Sequence, residues 1–234
     1  LRGIVDSAWA PAADALLFPL DGALYWVRLA RRGALEVRRL TASEAWETDP
    51  RISPRGRYVS FIRDQDLWVL ELATGAERAL TRDGGGTISN GVAEFIAQEE
   101  MGPSTGYWWS PDERCIAFTR VDESPVAEAE RHEVLADRVQ VIRQRYPWAG
   151  TANVRVELGV VELDGGATRW LDLGGDSDIY LARVGWFPES DALLVQRQSR
   201  DQQRLDLLRL PADGATPALL LTETSDTWVE LHDE

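Results

Sequence analysis

The feature that most constrains the fold of this chain is a turn-and-strand unit that recurs along the sequence. Ser53–Arg63 aligns with Ser110–Arg120 without a gap, and a proline, an arginine, a phenylalanine and a final arginine fall at matched positions. Fainter copies begin at Trp9 and at Trp186. Each copy reads as an aromatic strand end, a proline turn and a short strand rich in β-branched and aromatic residues. Recurrence of this kind is typical of repeat architectures, in which each copy forms one structural unit.

A second strand, a further turn and another strand follow the repeated unit. The expected second strands are Leu24–Val27, Asp66–Leu70 and Leu205–Leu208. The next turns are Arg32-Gly33, Thr74-Gly75 and Asp213-Gly214, and the strands after them end at Leu40-Thr41, Leu80-Thr81 and Leu221-Thr222. Three to four short strands in every 40 or so residues are typical of propeller blades. The sequence therefore predicts an all-β fold, a partial β-propeller of about four blades.

We interpret residues 1–234 as one truncated propeller domain. The chain begins at Leu1 without an apolar signal segment, and it stops at Glu234 just after Asp226–Leu231, which reads as the start of a strand. An open set of four blades is not a complete ring. We therefore expect the sequence to be a piece of a larger protein that supplies the remaining blades.

The composition excludes several other classes of protein. With 44% apolar and 27% charged residues in 234, the chain can bury a core, so disorder is not expected. No apolar run reaches the length of about 18 residues that a membrane-spanning helix needs. The net charge of −14 argues against nucleic acid as a partner. The single cysteine excludes an internal disulfide, no cluster has metal-ligand spacing, and we predict no cofactor.

Two inserts interrupt the repeat, because the prolines that mark its turns are unevenly spaced. These prolines stand at positions 11, 54, 111 and 188. The widening comes from an insert at residues 91–107 and from a longer one at residues 123–153. Inserts in a repeat scaffold map to loops on one face and often carry the binding function.

The first insert predicts a short helix over Val92–Met101. Asn90 is a plausible N-cap, and Gly102 is a plausible stop. We expect Phe95 and Ile96 to pack this helix against the adjacent blade.

The predicted helix ends in a pair of acidic residues, Glu99 and Glu100. Neighbouring residues on an α-helix point about 100° apart, so the two carboxylates converge only where the last turn is distorted or where they sit at its end. On spacing alone, a solvated acidic helix end is the simpler interpretation.

The second insert predicts a helical arm over Ala127–Arg145. Leu135, Val139 and Ile142 follow helical spacing, and Pro147 would end the helix. The sequence leaves two interpretations open for it. One is a helix packed on its own propeller, and the other is an extended arm for self-association.

Several motifs stand out together, and they are Glu99-Glu100, Tyr107–Asp112, Ala117-Phe118, Asp122–Val126 and Arg145–Val154. In combination they resemble one known family, the propeller domain of dipeptidyl peptidase IV, with the bacterial members most similar. Strong matching covers residues 87–155, and the weaker blade pattern covers the rest. The resemblance implies a substrate-gating propeller from a prolyl oligopeptidase-type serine peptidase that releases N-terminal dipeptides of the X-Pro or X-Ala type.

The resemblance also implies roles for the two inserts. In that family the paired glutamates hold the free α-ammonium of a peptide substrate, and this role falls on Glu99 and Glu100. An arginine from another blade contacts the substrate carbonyl, but no motif assigns it here. The segment at 123–153 contributes to a homodimer interface in the family. Bacterial members are usually exported, which implies a periplasmic or secreted protein.

The chain itself offers no convincing nucleophile, and the family's α/β-hydrolase domain with its Ser-Asp-His triad is absent from it. Gly102–Gly106 formally matches G-x-S-x-G, but a nucleophile elbow needs a strand before the serine and a helix after it. Ser104 instead follows the predicted helix and precedes a predicted strand. His132 lies among charged residues, and His232 stands alone near the end. We expect this chain to have no peptidase activity by itself.

Two other functions remain open at this point. One is a non-catalytic propeller scaffold that binds a protein or a peptide end, because propellers serve many functions. The other is a relative of the family that cleaves acylated or longer peptides and does not bind a free amine.

Overall fold

The computed structural model describes residues 3–4, 6–12, 14–29 and 35–231. Within these residues it contains nineteen strands and one short helical segment, which confirms the all-β prediction. Sheet I consists of β1 (Ala8–Trp9), β2 (Ala15–Leu20), β3 (Ala23–Arg28) and β4 (Glu36–Arg39). Sheet II consists of β5 (Thr48–Ile52), β6 (Tyr58–Arg63), β7 (Asp66–Glu71) and β8 (Glu77–Ala79).

The second half of the chain forms two larger sheets and a separate hairpin. Sheet III consists of β9 (Ile88–Asn90), β10 (Tyr107–Trp109), β11 (Cys115–Asp122), β14 (Arg155–Glu162) and β15 (Arg169–Trp170). The hairpin consists of β12 (Glu128–Val134) and β13 (Val139–Arg145). Sheet IV consists of β16 (Ile179–Trp186), β17 (Ala192–Ser199), β18 (Arg204–Pro211) and β19 (Ala218–Thr224).

Sheets I, II and IV are antiparallel meanders in which each strand pairs with the next one along the chain. Sheet III follows the same order, except that the hairpin is inserted between β11 and β14 and β9 pairs with the end of β11. In the part of the chain that the structure describes, these sheets do not close into a barrel. No described helix is long and apolar enough to cross a membrane.

The repeat seen in the sequence has the same backbone geometry in all four sheets. In each copy, the residue before the turn proline donates its N–H to the carbonyl five residues later. These bonds are Ala10 to Ala15 at 2.9 Å, Ser53 to Tyr58 at 3.0 Å, Ser110 to Cys115 at 2.9 Å and Phe187 to Ala192 at 3.0 Å. The hydroxyls of Ser53 and Ser110 also accept the backbone N–H of Tyr58 and Cys115. The four proline turns predicted from the sequence are confirmed.

The core lies between consecutive sheets, which stack face to face in chain order. Between sheets I and II the buried residues are Leu17, Leu24, Val59, Phe61 and Leu70. Between sheets II and III they are Ile62, Leu67, Val69, Tyr107, Ile116, Phe118, Val161 and Leu163. Between sheets III and IV they include Ala117, Leu158, Val160, Ile179, Leu181, Leu193 and Val195. Each inner sheet buries both faces, which explains why central strands such as β6 are apolar almost throughout.

The prediction of a helical arm at 123–153 is wrong, because this segment is a β-hairpin. β12 and β13 pair over their full length around a turn in which the Leu135 N–H donates to the Arg138 carbonyl at 2.8 Å. Only three residues supported the helical pattern, whereas β-branched residues are frequent in β13 and favour a strand. Cross-strand ion pairs add to the hairpin, for example Arg143 with Glu130 at 3.0 Å.

The predicted helix at 92–101 is shorter than expected, and Asn90 is not its N-cap. The structure has a π-helix at Ala97–Met101, preceded by two α-helical residues. Asn90 instead belongs to β9, where its side chain donates to Asp66 and Asp83. The predicted stop is confirmed, since Gly102 ends the segment with a left-handed φ of 85°.

Three smaller expectations have different outcomes. The predicted turn at Arg32-Gly33 and His232 lie outside the described residues. Thr74-Gly75 and Asp213-Gly214 do form turns after β7 and β18. Asp226–Leu231 is irregular rather than the start of a strand.

Candidate functional site

The first insert leaves and re-enters sheet III at one point, which fixes both of its ends. The Gly91 N–H donates to the Thr119 carbonyl at 2.7 Å, and the Gly106 N–H donates to the Gly91 carbonyl at 3.2 Å. The Thr119 hydroxyl donates to the Val92 carbonyl at 2.8 Å. A Cβ at Gly106 would lie only 2.3 Å from the carbonyl carbon of Val92, so this close approach requires glycine.

A buried carboxylate caps the start of the helical segment within this insert. Glu94 accepts the backbone N–H of Ile96 at 2.8 Å and that of Ala97 at 2.6 Å. Burial raises the pKa of Glu94, and the two backbone hydrogen bonds act in the opposite direction. No role for Glu94 was predicted from the sequence. The sequence did carry a signal for this role. Glu94 precedes Ile96 by two residues and Ala97 by three, and the first N–H groups of a helix have no partner within the helix.

Sheet IV contacts the helical segment near both of its ends. Ile96 and Met101 pack in a cluster with Tyr180 and Ala182 of β16. The guanidinium of Arg183 donates to the Met101 carbonyl at 2.7 Å. The segment is therefore fixed at its start by its own capping residue and at its end by the next sheet.

Glu99 and Glu100 lie in the middle of the π-helix, and both side chains are exposed. A π-helix bonds each residue to the fifth one along and so has more residues per turn than an α-helix. The angle between consecutive side chains is therefore smaller than the value of about 100° in an α-helix. The helix is thus distorted where it carries Glu99 and Glu100, which is one of the conditions under which their carboxylates can converge. Across the described residues, neither carboxylate has a hydrogen bond or an ion pair. The pair is an uncompensated negative charge on a braced segment.

Two cavities flank this segment. One, of about 280 Å³, lies between the insert and sheet IV, and its lining includes Arg51, Glu94, Trp108 and Arg183. The other, of about 700 Å³, extends towards β1 and is lined in part by Trp9, Asp49, Arg51, Gln98 and Ser104. Trp108 therefore borders a cavity, whereas Tyr107 is fully buried.

Arg51 of β5 is the arginine that borders both cavities. Its Nε donates to Oδ1 of Asp49 at 3.0 Å, and its guanidinium lies 5.8 Å from the centre of the Tyr107 ring. The Thr105 hydroxyl also donates to Asp49, at 2.5 Å, which ties the insert to sheet II. Burial raises the pKa of Asp49, and its hydrogen bonds from Thr105 and Arg51 oppose this shift. No motif in the sequence pointed to Arg51, because its placement depends on how two sheets meet.

The structure gives no catalytic context to the other polar residues that the sequence analysis considered. Ser104 follows the π-helix and precedes β10, so it lacks the strand and helix of a nucleophile elbow. His132 is exposed on β12. The described residues contain no group of three or more His, Cys, Asp or Glu side chains that could hold a metal ion.

Comparison with known proteins decides the family. The sequence profile of the dipeptidyl peptidase IV (DPP IV) N-terminal region matches residues 8–234, almost the entire chain. The chain belongs to this family. The resemblance that the motifs indicated is therefore confirmed.

Individual relatives show how much of their own length this chain matches. Dipeptidyl peptidase 8 from Mus musculus is 26% identical over 287 residues, which cover 99% of this chain and 32% of that protein. A protein named "Probable dipeptidyl peptidase 4" from Neosartorya fischeri is 28% identical over 189 residues, covering 76% of this chain and 24% of that protein. The chain thus spans a third or less of the curated relatives it matches.

A solved structure supports the fold independently. The crystal structure of Porphyromonas gingivalis dipeptidyl peptidase 4 aligns with a TM-score of 0.86 and 24% identity, over 97% of this chain and 34% of that chain. At this identity the likeness concerns the fold. Because family members include a mouse protein, the comparisons do not single out the bacterial branch.

Proposed function

We propose that this chain is the substrate-binding portion of a longer serine exopeptidase that releases dipeptides of the X-Pro or X-Ala type from peptide N-termini. In this proposal Glu99 and Glu100 bind the α-ammonium of the substrate. The observation that carries it is an exposed glutamate pair, without a partner among the described residues, on a braced π-helix beside two cavities in a chain of this family.

The chemistry of an ammonium group suits this pair. An ammonium has three N–H donors, and two carboxylates offer enough acceptors for all of them. Each such charge-assisted hydrogen bond contributes about 1.5–3 kcal/mol. Two neighbouring carboxylates repel each other, so a bound cation also relieves that repulsion. An amine held at a fixed distance from a nucleophile would restrict cleavage to the second peptide bond.

The four sheets are, in this proposal, blades of a larger propeller. Their stacking in chain order and their common proline turns support this view. The exposed side chains of Leu219, Leu220 and Leu221 on β19, each at least 50% accessible, are consistent with a further sheet packing there in the longer protein. The nucleophile, its Asp and its His would belong to a separate α/β-hydrolase domain, and this chain would be inactive alone.

We also propose that the longer protein forms a homodimer through the arm at 123–153. A two-stranded hairpin is at best marginally stable by itself, and within the described residues β12 and β13 pair only with each other. Val134, Val139 and Val141 are 49–78% exposed on it. A second copy would cover these side chains in a two-fold contact.

The amine-binding role is tested by the kinetics of the full-length protein. The substrates are alanyl-prolyl-p-nitroanilide and propionyl-prolyl-p-nitroanilide, which have the same shape except that the second lacks the amine. We expect Glu99→Gln and Glu100→Gln each to lower kcat/KM for the first substrate by about 10²-fold and to leave the second within about twofold. Glu189→Gln, at an exposed glutamate in a sheet IV turn, is the matched control.

Each alternative outcome has a distinct meaning. If both substrates are cleaved equally and neither glutamate substitution changes the rates, the fold assignment stands and the amine-binding role is wrong. This outcome would indicate a relative that acts on acylated or longer peptides. Binding of peptide without any hydrolysis would indicate a scaffold rather than an enzyme.

A further inference from the structure

The two inserts, which are far apart in sequence, meet at an aromatic contact. The rings of Phe95 and Tyr146 lie 5.5 Å apart, centre to centre, at an angle of 68°, which is an edge-to-face arrangement. Tyr146 also contacts Trp148, with 5.7 Å between the ring centres. The helical segment with the glutamates is thereby joined to the base of the hairpin. The sequence predicted that Phe95 packs on a blade, whereas in the structure it contacts the second insert.

Tyr146 is itself held firmly. Its N–H donates to the Ala127 carbonyl at 3.1 Å, where the hairpin begins. The next residue, Pro147, is buried, and its carbonyl accepts a hydrogen bond from Arg200 at 3.2 Å. The Arg200 guanidinium lies 5.7 Å from the centre of the Tyr180 ring.

Arg200 therefore connects both supports of the helical segment. Tyr180 belongs to the cluster that packs against Ile96 and Met101 on one side. Pro147 follows Tyr146, which contacts Phe95 on the other side. Successive residues Phe95 and Ile96 thus fix the segment in two different directions.

Phe95 is well placed to determine where the glutamates lie. Phe95 precedes Glu99 by four residues, which is about one turn of the helical segment. Its side chain is 36% exposed and is not part of the core, so the contact with Tyr146 is a lateral support rather than core packing. Small displacements of a binding group weaken a contact that depends on charge-assisted hydrogen-bond geometry.

We propose that Tyr146 is a positioning residue that sets the placement of Glu99 and Glu100 through its contact with Phe95. This inference rests on the proposed function, in which those glutamates bind the substrate amine. Tyr146 does not touch the substrate in this view. It limits the lateral movement of the segment that does.

The test compares Tyr146→Ala, which removes the ring, with Tyr146→Phe, which keeps it. In the full-length protein, the measured quantity is the ratio of kcat/KM for alanyl-prolyl-p-nitroanilide to that for propionyl-prolyl-p-nitroanilide. We expect Tyr146→Ala to lower this ratio by about 2- to 10-fold, the range that an aromatic edge-to-face pair supports. Tyr146→Phe restores the wild-type ratio. A role confined to general stability would lower both rates together and leave the ratio unchanged, which would overturn the inference.

A double-mutant cycle sharpens the test. If Tyr146 acts through Phe95, the double variant Phe95→Ala/Tyr146→Ala lowers the ratio no further than either single variant. Additive losses would overturn the proposed connection. Glu99→Gln and Glu100→Gln are measured in parallel. If they reduce the ratio and Tyr146→Ala does not, the positioning role fails while the amine-binding role stands. If they leave the ratio unchanged, both fail.

Discussion

Glu94 shows how one residue shapes the site without belonging to the acidic pair beside it. Its carboxylate caps the segment that carries Glu99 and Glu100, whereas those two remain exposed. From the sequence, three glutamates within seven residues look alike. Their roles separate only through burial, which depends on how sheets III and IV pack around the insert.

We predict that Glu94 makes stability depend on pH in the direction opposite to most acidic residues. Burial raises its pKa above the ordinary value of 4.5, so the folded state holds this proton more tightly than the unfolded state does. The contribution is therefore present below pH 4.5 and is lost as the pH rises through the folded-state pKa. Urea unfolding of wild type and Glu94→Gln at a series of pH values measures it.

The quantity to follow is the difference in free energy of unfolding, wild type minus Glu94→Gln. We expect this difference to fall as the pH rises from 4 towards neutrality, and then to level off. A difference that rises over the same range would mean that the folded state favours the charged carboxylate, contrary to this account.

Gly106 is a second residue whose importance is steric. Gly106→Ala would place a Cβ 2.3 Å from the carbonyl carbon of Val92 and 2.5 Å from the Thr119 hydroxyl. We expect a loss of about 1–3 kcal/mol in the free energy of unfolding, because backbone cannot move away as a flexible side chain can. Chemical denaturation measures the loss.

Gly175→Ala is the matched control for this prediction. A Cβ there meets nothing within 4 Å, so we expect a change of less than about 0.5 kcal/mol. Equal effects of the two substitutions would show that the close approach of the insert's ends does not constrain position 106.

Among the elements, the repeated strands could be predicted from the sequence, and the inserts only in part. The proline turns carry a local signal, since each is closed by hydrogen bonds within five residues. The arm carries no such signal for a hairpin, because Leu135, Val139 and Ile142 follow helical spacing although Val139 and Ile142 lie on opposite faces of β13. Phe95 and Tyr146 lie 51 positions apart in the chain, and no local pattern reveals their contact. The motif alone was enough to single out Glu99 and Glu100. The contacts that hold their helical segment in place depend on the tertiary fold.

The exposed face of the hairpin yields a prediction about self-association. Val134, Val139 and Val141 lie on one face, because residues two apart on a strand point the same way and Val134 pairs with Val139. We expect the full-length wild type to sediment as a dimer and Val139→Glu to shift it towards monomer, since a charge in an apolar contact is costly to bury.

The control for this prediction lies on the opposite face of the same strand. Gln140→Glu adds the same charge next to position 139, and we expect it to leave the dimer intact. A monomeric wild type, or a dimer that tolerates both substitutions, would rule out the valine face as the contact.

Over the whole molecule, four similar sheets form the scaffold, and the two inserts depart from their repeated pattern. The sheets supply a stacked core and a repeated turn. The first insert carries the acidic pair, and the second forms the hairpin and supports the first through Tyr146. A charge of −14 spread over 234 residues is compatible with a site that attracts a cationic peptide terminus.

The most direct test of the central claim is a crystal structure of the full-length protein with an uncleaved peptide bound. The quantity to measure is the distance from the peptide's terminal nitrogen to the carboxylate oxygens of Glu99 and Glu100. We predict about 2.7–2.9 Å to at least one oxygen of each, as in charge-assisted hydrogen bonds. A terminal nitrogen bound elsewhere, with both glutamates still exposed to solvent, would contradict the account.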